Sequence, residues 1–134
     1  MASRTPTKRT TPAPPDLSPV FAALKRVLAP YARRMAVKHD APGIYYLEST
    51  AANRYGEEVF FGAVRTGKRS VAYHLMPIYV FPALTRTLSP ELKKRLRGKA
   101  CFQFTKVERP LIAELGALTK RGFEEFKRGG VFGK

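Results

Sequence analysis

The apolar positions of this chain change their period along its length. Between residues 18 and 28 they fall at Val20, Phe21, Leu24, Val27 and Leu28, the spacing of one helix face. DLSP predicts the start of that helix, with Asp16 or Ser18 as N-cap and Pro19 at an early position that needs no N–H. Pro30 disturbs the helix, and Arg26, Arg33 and Arg34 take its polar side. From residue 35 the period shortens to two. MAVKH (35–39), IYYLES (44–49), EVFFGAV (58–64) and SVAYHLM (70–76) are rich in β-branched and aromatic residues. The breakers DAPG, AANRYG and RTGKRS separate them, so each reads as a strand. His39 and Asp40 are placed at a strand end and a turn. RTGKRS, with Gly67, reads as a hairpin loop carrying Arg65, Lys68 and Arg69. A two-part helix is predicted next, over 79–88 and then 89–96, with Pro82 in an early turn. SPEL supplies the second start, with Ser89 as cap, Pro90 first and Glu91 near the positive helix end. GKACFQF gives a last strand after Gly98. A helix over 109–127 puts Leu111, Leu115, Leu118, Gly122 and Phe126 on one face.

Successive strands with short connections imply a mainly antiparallel sheet, and helices on either side of them in sequence imply layers. The predicted fold is an α+β two-layer sandwich. It has about five strands, with helices at the N-terminus, between strands four and five, and at the C-terminus. A chain of 134 residues that is 44% hydrophobic has room for one sizeable core. The expected organisation is a single domain over 16–128, a disordered, basic, proline-rich tail over 1–15, and a flexible glycine-rich end over 129–134.

Charge changes the picture more than composition does. A formal charge of +15, from 25 Lys+Arg against 10 Asp+Glu, attracts polyanions and also keeps a surface solvated. The single cysteine, Cys101, excludes an internal disulfide framework and a four-cysteine zinc site, and fits a reducing cytoplasm. No apolar run approaches the ~20 residues of a membrane span. The N-terminal MASRTPTKRTTPAPP lacks the hydrophobic region of a secretory signal. Its prolines oppose the amphipathic helix of a mitochondrial address.

The run VAYHLMPIYVFP (71–82) embeds one of the two histidines in apolar surroundings. Strand alternation puts Val71, Tyr73 and Leu75 in the core, and Ala72, His74 and Met76 on the other face. That second set suits the floor of a shallow pocket and equally a partly covered second face of the sheet. The expected binding residues are His74, Met76 and Tyr46, with Arg65, Lys68 and Arg69 of the hairpin beside them. Of the neighbours Tyr45 and Tyr46, one is expected to be buried. No catalytic set is legible. RTGK and LRGK lack the other glycines and the Ser/Thr of a phosphate loop. The carboxylate pairs Glu57–Glu58 and Glu124–Glu125 fall at a strand start and on a helix. A site from His39, His74 and Cys101 would need three strands to converge. Cys101, in an apolar strand, reads as an inert thiol.

FFGAVRTGKRSVAYHLMPIYVFPALTRTLSPELKKRLRGKACFQF, with a last helix ending GFEEFKRGG, resembles the bacterial YdhG-like family of small domains. HLMP before an aromatic, LSPELKKRLRGK and CFQF carry the likeness, which extends over about 17–129. The resemblance implies a secretion-chaperone-like fold, an antiparallel sheet backed by helices. Some relatives are frataxin-like iron chaperones, which use acidic residues around the first helix and strand. Here Asp16, Asp40 and Glu48 lie there amid Lys25, Arg26, Arg33, Arg34 and Lys38, and positive surface repels iron cations. The expected function is therefore a small, cytoplasmic, non-enzymatic binding or accessory domain without cofactor or metal. Its partner would be a protein or small ligand, and it would be a monomer or homodimer. The second reading is a nonspecific nucleic-acid binder acting through the basic surface. An iron carrier is the third.

Overall fold

The computed structural model describes residues 16–52 and 58–128, the side chains of 49–52, 58 and 59 excepted. The tail over 1–15 and the end over 129–134 lie outside the described residues. The first helix, α1 (Ser18–Leu28), is capped from just ahead of its start. The Asp16 carboxylate accepts the Ser18 N–H at 3.1 Å, and that bond holds the carboxyl below its ordinary range. A 3₁₀ segment, Ala29–Arg34, continues it.

Six strands follow: β1 (Met35–Ala41), β2 (Ile44–Ala52), β3 (Glu58–Thr66), β4 (Val71–Leu75), β5 (Leu96–Arg97) and β6 (Cys101–Phe104). They form one sheet in the order β1-β2-β3-β4-β6-β5, antiparallel throughout. The fold is the expected α+β sandwich with one strand more than expected. Leu96–Arg97 is too short to show a period, and it occupies the end of what reads in sequence as a helix. The β1–β2 connection is Pro42–Gly43, with Gly43 at φ 85, the positive φ that a type II turn demands after proline. His39 and Asp40 are not at a strand end, because β1 runs on to Ala41.

The helix expected over 79–88 is instead a short helix α2 (Met76–Val80) and a 3₁₀ turn Pro82–Thr85. Phe81 between them has φ −121 and ψ 76, the non-helical backbone that a following proline imposes. The next helix, α3 (Pro90–Lys93), does start at SPEL, with the Ser89 hydroxyl accepting the Leu92 N–H. The long α4 (Arg109–Arg128) closes the chain. Its Glu114 carboxylate clasps the α3 cap, accepting the Ser89 N–H and the Ser89 hydroxyl at 2.7 Å each.

The described helices pack to one side of the sheet. Val20, Leu24 and Leu28 of α1 and Leu115, Leu118 and Phe126 of α4 meet Tyr45, Leu47, Val64, Val71, Tyr73, Leu75, Phe102 and Phe104 in one core. Tyr73 is wholly buried. Its hydroxyl is satisfied by Thr119 at 2.5 Å, as a buried phenol requires. Two close approaches fix the packing, one between α4 and α2 and one between β3 and α1. A Cβ on Gly122 would stand 2.7 Å from Pro77 Cβ, and one on Gly62 would stand 2.9 Å from Leu28 Cδ2.

Candidate functional site

The opposite side of the sheet carries no described helix. Cross-strand pairing brings Tyr46, Ala63, His74 and Cys101 into one row, and Ile44, Arg65, Ala72 and Gln103 into the next. Paired residues share a face, so both rows point away from the helices. A bulge adds a further aromatic. Leu47 pairs Gly62 but Glu48 pairs Phe60, which leaves Phe61 as the extra residue. Phe61 turns into the core against Tyr31 and Phe126. Phe60 turns outward and lies against Tyr46, ring centroids 4.8 Å apart at 30°.

These residues enclose a recess of about 200 Å³ lined by Ile44, Tyr46, Phe60, Ala63, Arg65 and His74. Ala63 is only 5% exposed and forms the floor, and its small side chain is what makes the depression. His39 of β1 extends the aromatic surface, meeting the Tyr46 ring edge-on at 5.7 Å. Half-burial and then the charge of Arg65 push the His74 imidazole below its ordinary pKa. Burial, followed by the neighbouring Glu48, pushes the Tyr46 phenol up.

His74 Nε2 and Cys101 Sγ are 4.0 Å apart. Burial raises the thiol while it lowers the imidazole, so both groups are driven toward their neutral forms. A nucleophilic cysteine needs the reverse, a thiolate beside an imidazolium. The pair is therefore a weak polar contact on an apolar face.

Of the expected site residues, Tyr46, Arg65 and His74 line the recess. Met76 does not, because the strand ends at Leu75 and Met76 opens α2, where it packs against the core. Lys68 and Arg69 are exposed on the turn beyond Thr66 and stand outside the lining. Sequence reading missed Ile44, Phe60 and Ala63. The sequence signal for Phe60 was Gly62, since a glycine inside a strand often marks a bulge. Tyr45 and Tyr46 do split between core and open face, with Tyr45 4% exposed.

The acids proposed for iron are separately engaged. Asp16 caps α1, Asp40 pairs with Lys25 at 2.8 Å, and Glu48 lies 3.9 Å from Lys38. Among the described residues no three His, Cys, Asp or Glu side chains gather into a metal-binding group. No described helix is long and apolar enough to cross a membrane. A second, larger groove of about 600 Å³ runs between the 3₁₀ segment and α4, floored by Tyr31 and Phe123. Its rim mixes Arg34, Lys120, Lys127 and Arg128 with Glu124. No protein-family model, curated protein or solved structure matches the chain.

Proposed function

We propose that the chain is a small cytoplasmic binding domain of the YdhG-like kind, non-enzymatic, that docks its ligand on the open face of the sheet. The observation that carries this reading is the composition of that face. A solvated antiparallel face ordinarily alternates to polar residues. Here Ile44, Tyr46, Phe60, Ala63, Ala72 and Cys101 make up most of its surface, with Arg65 and His74 set among them and His39 and Gln103 at the row ends. Apolar surfaces that hold a few placed polar groups mark binding sites. The neutral pairing of His74 with Cys101 supports a non-enzymatic role, and a single thiol suits a reducing compartment.

Cys101 is itself the reporter for a test. It is the one cysteine in the chain, so its alkylation rate by iodoacetamide reads coverage of this face. Native lysate is expected to slow alkylation of the wild-type protein. It should have far less effect on Ala72→Glu, which raises bulk and charge beside the recess while leaving the core side alone. Equal alkylation rates with and without lysate would sink the reading.

A further inference from the structure

We infer that the ligand of the open face is a single-stranded nucleic acid, its bases stacked on Tyr46 and Phe60 and its phosphates held by Arg65, Lys68 and Arg69. The inference rests on the reading above that this face is the binding surface. Three observations select the ligand class.

The first is size. At about 200 Å³ the recess is smaller than the ~300–1,000 Å³ of ordinary small-molecule pockets. It is also open to one side, so it suits a single flat ring projecting from a polymer. The second is the chemistry of the walls. Tyr46 and Phe60 lie against each other with their rings tilted by 30° and His39 meets Tyr46 edge-on, so planar groups line the recess and its margin. Stacking on such groups accepts any base, because every base has a π-face. A double helix hides those faces and offers nothing to stack.

The third is charge. β3 runs from Phe60 along the recess to Arg65, and its turn then presents exposed Lys68 and Arg69. The path from Phe60 to Arg65 is roughly 15 Å at ~3.3 Å per residue. With the turn it offers a groove for about four nucleotides, the short end of single-strand sites. Glu48 is the acid on this face among the described residues, and Lys38 stands beside it at 3.9 Å. The whole chain carries +15, so a second copy of the same chain would be repelled where a polyanion is drawn in.

The test is fluorescence anisotropy of the full chain with labelled oligothymidylate and oligouridylate, single-stranded and as duplexes. Single strands should bind more tightly than duplexes. Neutralising about three phosphates predicts a loss of about twenty-fold in affinity when salt rises from about 50 to about 200 mM. Tyr46→Ala and Phe60→Ala, which leave the charge unchanged, should each weaken binding by about 5- to 150-fold. Tyr46→Leu keeps the apolar bulk, removes the flat face and should weaken binding to a similar extent, which guards against a variant that fails to fold. Lys120→Ala with Lys127→Ala removes two charges from the helix layer and should change affinity less than about two-fold, as those lysines line the other groove.

If the lysine pair weakens binding as much as the aromatic variants do, or if Tyr46→Leu binds like wild type, the inference is overturned in favour of bulk polyelectrolyte attraction. If no oligonucleotide binds while lysate still protects Cys101, the inference falls and the docking face stands, with a protein as its occupant. If lysate gives no protection and no oligonucleotide binds, both fall together.

Discussion

On the covered side of β4, Val71, Tyr73 and Leu75 are fully buried and touch both long helices' core residues. On the other side, Ala72 and His74 are half-buried, with no described helix over them. The two faces differ in what holds them. The covered face is fixed by interdigitation between layers, where lost volume cannot be refilled. The open face is fixed by backbone pairing from below, so its side chains can be exchanged at small cost. A surface of that kind can be given over to recognition while the other face maintains the fold.

Truncating each face in turn sharpens this contrast most. Tyr73→Ala should cost about 3–5 kcal/mol in denaturant melts, through a large cavity and an abandoned Thr119 hydroxyl. Gly122→Ala probes the packing of α4 against α2 without removing anything. Its new methyl would meet the rigid Pro77 ring at 2.7 Å. Overpacking of about 1–3 kcal/mol, offset by about 1 kcal/mol of helix propensity, should leave a net loss of up to about 2 kcal/mol in the same melts. His74→Ala, one residue from Tyr73, should cost about 1 kcal/mol or less. Equal losses at 73 and 74 would erase the distinction between the faces.

The smallest effect concerns pH. His74 has a lowered folded pKa, so the unfolded chain takes up its proton first as pH falls. The contribution is fully present above the ordinary histidine pKa of about 6.5 and is lost as pH drops through that value toward the folded pKa. Glu108, lowered by Arg95, loses its contribution in the more acidic window of the carboxylates. Comparing wild type with His74→Gln between about pH 7.5 and about pH 5.5 isolates the histidine. The wild type should lose slightly more stability than the variant across that range. Parallel melting curves would place His74 in solvent.

Much of this contrast was legible in the sequence. The alternation of VAYHL assigned Tyr73 and His74 to opposite faces, and the helical stripe from Leu111 to Phe126 placed the cover. Ser89 announced its cap because side-chain capping is local chemistry. What alternation could not supply was interruption. Met76 reads as one more outward residue until Pro77 turns the chain into a helix. Strict alternation back from Val64 would put Phe60 in the core and Phe61 outside, and the bulge exchanges them. Both places are where a strand stops being regular, and the recess is built at one of them. Leu96–Arg97 escaped for a different reason, since two residues have no period to read.

The bulge has a consequence for how this chain tolerates change in length. In front of it the outward-facing residue of β3 is even-numbered, and behind it the outward residues Ala63 and Arg65 are odd. A single-codon deletion at Phe61 would restore strict parity. Both ends of the strand would keep their partners and faces, because Glu48–Phe60 and Leu47–Gly62 would become consecutive pairs, and the loss would be the buried Phe61 ring. A deletion at Val64, in the regular part of the strand, would instead shift the register and turn one end to the wrong layer. An in-frame loss of one residue there should therefore harm the protein far more than most point substitutions along the same strand. The turn over 67–70, whose backbone is on the surface, should absorb an inserted residue.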